Sequence, residues 1–225
     1  MPAADSLKHI LATSIPRYLP MASTFLLNDL QLPASMVVPP HELKCYIDHH
    51  LTHRFLIFAE SVMPMALDHG SFDPSQPRES ACYRPGADRL MLVSEMIDAD
   101  ASAAGLASMT LAEILVAHEC VHAAMMGKVV ANRPGALLDW VQRDDLRYIH
   151  ESAALRFCEA LPGLTGQHIT RAEMERYLRF VDTRCATSPV GEAYARYFRE
   201  FRDTPNASLW QVLTGNEPLV AELAG

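Results

Sequence analysis

Within five positions the chain places His118, Glu119 and His122, in the run His118-Glu-Cys-Val-His122. The surrounding segment, Thr110 to Gly127, reads as a helix. Thr110 with Glu113 fits a capping box at its start, and Gly127 fits a C-terminal cap. Residues four apart on a helix share one face, about 6 Å apart along the axis. Two imidazoles can therefore turn toward one metal ion. Glu119, one position on, can reach a water activated there. These are the parts of a zinc hydrolase, with two nitrogen ligands and a general base.

The plainer alternative is two ordinary histidines and a surface glutamate on an amphipathic helix. Leu115, Val116, Ala117, Val121, Ala123 and Ala124 speak against it, because they suit a buried helix. Burying three polar side chains there is costly without partners, and a metal supplies them. Cys120 points off the ligand face and reads as a small buried hydrophobe.

Catalytic zinc takes three protein ligands and keeps one position open. A continuation H-x-x-G-x-x-H is absent, since residues 125–128 read Met-Met-Gly-Lys and no histidine follows before His150. Glu151 is the leading third ligand. It opens Glu151-Ser-Ala-Ala154, where Ala153 and Ala154 allow a close helix approach. His150 is the first alternative, ahead of Asp144 and Asp145. His49 and His53 are also four apart, but no base or third ligand accompanies them, and they read as a polar face.

His118-Glu-Cys-Val-His122 followed by Glu151-Ser-Ala-Ala154 resembles the gluzincin branch of zinc metallopeptidases, over roughly residues 80–162. The resemblance implies Zn2+ held by His118, His122 and Glu151, with Glu119 as general base and a peptide or protein as substrate. Glu119 would take a proton from the attacking water and pass it to the leaving nitrogen. The resemblance also implies an α+β, mostly helical fold: a zincin-like core with a small sheet and flanking helices. Arg89 to Ile97 stands where such enzymes place the edge strand that pairs with an extended substrate.

Two positions depart from the pattern. Leu155 occupies the place of a supporting aspartate, and Ser152 the place of a glycine. Glu159 and Asp145 are the carboxylates left to orient a ligand histidine. Tyr148, Tyr177, Tyr194, Tyr197 and His168 are all eligible to stabilise an oxyanion.

The elements that must position these residues divide into an N-terminal helical region (1–77), a core (78–165) and a C-terminal helical region (166–225), together one compact unit. Residues 1–38 read as short helices and turns punctuated by prolines. Leu43, Ile47, Leu51, Phe55 and Phe58 mark a helix from His41 to about Leu67. A loop over 68–88 leads to a strand at Arg89–Ile97, then a loop over 98–108. A helix after Ala136 ends at Pro162-Gly163. Thr170 with Glu173 forms a capping box that starts a helix to about Cys185. Further helices follow over Val190–Arg202 and after Ser208.

Composition narrows the partners. A net charge of −8 over 225 residues argues against nucleic acid or an anionic membrane. No apolar run reaches the length of a membrane span. The N-terminus has no secretory pattern, so a cytoplasmic location is expected, with signal-independent export open. Five widely spaced cysteines without C-x-x-C suit a reducing compartment.

Two rival readings remain at this level. Glu119-x-x-His122 also satisfies half of a carboxylate-bridged di-iron site, but none of the other nine histidines has an acid three positions before it. The other rival is a non-catalytic helical interaction protein with a structural metal site. An intact Glu119 argues against that, because such a site has no use for a base.

Overall fold

A computed structural model describes residues 4–39, 46–52, 55–59, 80–84, 89–132, 144–166, 168–184, 191–213 and 215. The first element is one long helix, α1 (Ala4–Asn28), not the expected series of short ones. Leu7, Ile10, Ile15, Tyr18, Ala22, Phe25 and Leu26 form its buried stripe. Pro16 and Pro20 lie inside it, the first exposed and the second half-buried. An interior proline costs a helix about 3 kcal/mol, whereas each large apolar side chain buried returns about 1.5–3 kcal/mol. The stripe outweighs the prolines, and the helix continues through them.

Two strands, β1 (Tyr46–Thr52) and β2 (Phe55–Ala59), stand where a helix was expected over 41–67. The flanking parts of that expected helix lie outside the described residues, as does most of the expected loop at 68–88. Ile47, Leu51 and Phe55 are spaced by four, which satisfies a strand's period of two as well as a helix's 3.6. The continuous run Phe55-Leu-Ile-Phe-Ala59 suits a strand better. Two further strands follow, β3 (Ala81–Arg84) and β4 (Arg89–Val93), and pairing runs β1-β2-β4-β3, antiparallel throughout.

Helix α2 (Ser94–Ala104) occupies the expected loop before the motif. The motif helix α3 spans Ser108–Asn132, so Thr110 is not its cap and Gly127 lies inside it. Glu113 does not turn back to cap the helix. It accepts a hydrogen bond from the Tyr18 hydroxyl on α1 at 2.7 Å and pairs with His168 at 2.9 Å. From Leu111 to Met125 every side chain of α3 is buried or half-buried, as suits a helix packed on all sides.

Helix α4 (Asp144–Leu164) runs through Pro162 rather than stopping before it. Helix α5 (Arg171–Arg184) opens on the expected capping box. The Thr170 backbone N–H donates to Glu173 Oε2 at 2.9 Å, and the Glu173 N–H donates to Thr170 Oγ1 at 3.2 Å. Helix α6 (Gly191–Arg196) continues into a π-helical turn at Tyr197–Phe201, and α7 (Asn206–Leu213) follows. One core runs from Leu7 on α1 to Leu213 on α7. Among the described residues no single helix is long and apolar enough to cross a membrane.

The described body is mostly helical, which overturns the expected α+β fold with a zincin-like core. Among the described residues, the donors of the site stand on helices. Arg89–Val93, expected as a free edge, is bonded to Phe55–Ala59 on one side and Ala81–Arg84 on the other. Its backbone groups are already used, so it cannot take up an extended peptide. Beyond Val93 the expected strand turns into α2. Neither the zincin-like core nor the substrate-pairing sheet it requires forms among the described residues.

Candidate metal centre

Helix α3 sets His118, Glu119 and His122 side by side, each less than a tenth exposed. Helix α4 packs against α3, and Ser152, Ala153 and Ala154, which follow Glu151, are all buried. This packing brings Glu151 to the histidines. His118 Nε2 lies 3.1 Å from His122 Nε2 and 3.1 Å from Glu151 Oε2. His122 Nε2 lies 3.6 Å from Glu151 Oε1. The two imidazoles meet edge-on, with centroids 4.9 Å apart.

These distances fit a metal. A tetrahedral zinc with bonds of about 2.0–2.1 Å spaces its ligand atoms about 3.3 Å apart. Burial pushes the Glu151 carboxyl up, but the His122 charge and hydrogen bonds from both histidines outweigh it and hold it well below the usual carboxylate range. The group is thus an anion, as a metal ligand must be. An oxygen of Glu119 falls within 4.8 Å of donors on both histidines.

The alternatives for the third ligand separate here. His150 is buried, and its ring lies 5.9 Å from that of His122, centroid to centroid. Burial, helped by the His122 charge, lowers its pKa to about 3, so it is a neutral core imidazole. Glu151 places its carboxylate oxygens 3.1 Å from His118 Nε2 and 3.6 Å from His122 Nε2. The side chains of Asp144 and Asp145 lie outside the described residues.

The supporting groups are less complete. Leu155 is fully buried in the core. Glu159 is engaged elsewhere: it accepts from the Tyr197 hydroxyl at 2.8 Å and pairs with Arg202 at 3.3 Å. His118 Nδ1 has no hydrogen-bond partner among the described residues. Burial raises the Cys120 and Cys158 thiols well above their usual range, so both behave as hydrophobes.

The five eligible oxyanion donors stand in different settings. Tyr148 donates to the Leu213 carbonyl at 2.7 Å, Tyr197 donates to Glu159, and His168 pairs with Glu113. Tyr177 is buried in the core. Tyr194, half-buried on α6, meets the His118 ring edge-on at 6.4 Å. Sequence reasoning did not single it out. It also passed over Arg156, although a lone charge between buried Leu155 and Phe157 signals a buried partner.

No family model, curated protein or solved structure matches this chain.

Proposed function

We propose that this protein is a zinc-dependent hydrolase with a gluzincin-type donor set, acting on peptide bonds. The observation that carries the reading is the trio of buried donors, His118 Nε2, His122 Nε2 and Glu151, spaced 3.1–3.6 Å apart. When bound there, zinc supplies a Lewis acid that polarises a carbonyl and makes water acidic enough to attack near neutral pH. Glu119 accepts the proton of the attacking water on its carboxylate and returns it to the leaving nitrogen. Tyr194, whose ring meets that of His118 edge-on, is our candidate to bind the carbonyl oxygen as charge develops on it. Burial of the site keeps bulk water from competing for these groups.

One observation favours a second reading. The Glu119 carboxylate is close enough to both histidines to serve as a fourth donor, and four protein donors would close the site into a structural one.

Metal analysis of the dialysed protein, paired with a fluorogenic peptide-library assay, separates the two. A hydrolase binds one zinc per chain in both wild type and Glu119→Gln, and only the wild type cleaves. Loss of zinc in Glu119→Gln makes Glu119 a ligand and the site structural. A wild type that takes up no zinc overturns both readings.

A further inference from the structure

The geometry points to Arg156 as a positioning residue for the metal centre, acting on His118 through Tyr194. This rests on reading His118 as a metal ligand. A ligand histidine is ordinarily oriented by a hydrogen bond at its second ring nitrogen. His118 Nδ1 is buried and has no such partner among the described residues. Packing must do the work instead, and the rings that meet His118 are those of His122 and Tyr194.

Tyr194 sits on α6, a helix of only six residues. So short a helix has little stability of its own and takes its place from what anchors it. The anchor is the far end of the π-helical turn that continues it. Arg156 Nη2 donates to the Phe201 carbonyl at 2.6 Å and to the Thr204 carbonyl at 2.8 Å. These carbonyls lie where the helical ladder ends; that of Phe201 also accepts from the Thr204 N–H at 3.0 Å, so Arg156 clasps a turn already closed on itself. Near Arg156 on α4, Glu159 accepts from the Tyr197 hydroxyl at 2.8 Å and pairs with Arg202 at 3.3 Å. Arg156 Nη1 lies 3.7 Å from Glu159 Oε2, which joins the two contacts into one tether. Both carbonyls are met by the one nitrogen Nη2 while Nη1 faces Glu159, and a lysine ammonium, a single flexible point donor, cannot hold all three partners in that geometry. Helix α4 therefore serves the site twice. It presents Glu151 to the histidines, and it holds the segment that presses Tyr194 on His118.

The test reads the His118 imidazole by NMR in metal-free protein, with its signal assigned by comparison with His118→Asn. Arg156→Lys shifts the His118 ring signals in the same direction as Tyr194→Ala and adds no further shift when combined with it. Tyr197→Phe, a milder change that removes only the hydroxyl bond to Glu159, gives a smaller shift in the same direction. In zinc competition, Arg156→Lys weakens binding about 10-fold, the low end for residues that support ligands. The inference is overturned if the His118 signals stay in place in both Arg156→Lys and Tyr197→Phe, or if the Arg156→Lys and Tyr194→Ala shifts add. Should Arg156→Lys fail to fold, Tyr197→Phe decides on the same criterion. A wild type that binds no zinc removes the metal reading, yet the metal-free signals still decide whether the tether orients His118.

Discussion

His118 Nε2 and Glu151 Oε2 stand 3.1 Å apart although 33 positions separate them in the chain. Helix α3 supplies one partner and α4 the other. The contact exists because α3 and α4 pack against each other. Each donor then depends on the others: removing one leaves the rest buried without a full set of partners.

Added zinc should stabilise the folded chain, because the unfolded chain has no assembled site. Free zinc at about a thousand times its dissociation constant contributes about 4 kcal/mol. Thermal melts with zinc and with chelator read this as a rise in Tm. The rise disappears in His118→Ala, His122→Ala and Glu151→Ala and survives in Glu119→Gln, whose peptide cleavage falls by about 10²–10⁴. A full Tm rise in Glu151→Ala would remove Glu151 from the ligand set.

His150 and Glu151 are neighbours with opposite expectations. Glu151→Ala weakens zinc binding strongly. His150→Ala leaves zinc binding within a few-fold and instead costs about 2 kcal/mol of stability through the cavity it opens. Zinc competition beside urea melts of the metal-free proteins gives both quantities. The reverse ranking would move the third ligand by one residue.

Glu113 joins α1 to the motif helix. Glu113→Ala leaves the buried Tyr18 hydroxyl without its acceptor and releases His168. The expected loss is about 1–3 kcal/mol, the penalty for a buried donor left unsatisfied. Tyr18→Phe in the same background recovers part of it, because the orphaned hydroxyl is then gone. A double-mutant cycle by urea denaturation checks the coupling.

The capping box of α5 gives a pH prediction. The Thr170 hydroxyl and backbone N–H hold the Glu173 carboxyl below its usual value. Its folded value is thus lower than its unfolded one. Its contribution is fully present above the ordinary carboxylate range, near about 4.3, and fades as pH falls below that. Thr170→Ala costs about 1 kcal/mol at pH 7, and less near pH 3. A cost that does not shrink with acid would show that the carboxylate contributes nothing to the cap.

The amino-acid sequence by itself determined what one helical turn can encode. The four-residue spacing of His118 and His122 places them on one face of any helix that includes them. Thr170 and Glu173 cap α5 because a side chain three positions on returns to the helix start. The small residues after Glu151 marked it as the carboxylate expected to meet the two histidines, and its oxygens lie 3.1 and 3.6 Å from them. Where two local rules agreed with one pattern, sequence could not choose. Ile47, Leu51 and Phe55 fit helix and strand alike, and cross-strand pairing made them strand. Thr110 and Glu113 matched a cap, but Glu113 found better partners on α1 and before α5. The helical fold class, the double pairing of Arg89–Val93, the Tyr194 contact and the Arg156 tether were settled only in three dimensions. Each depends on which distant group arrives within hydrogen-bonding or packing range. Local propensity specifies a turn at a time, whereas these contacts come from closing long loops onto a shared core.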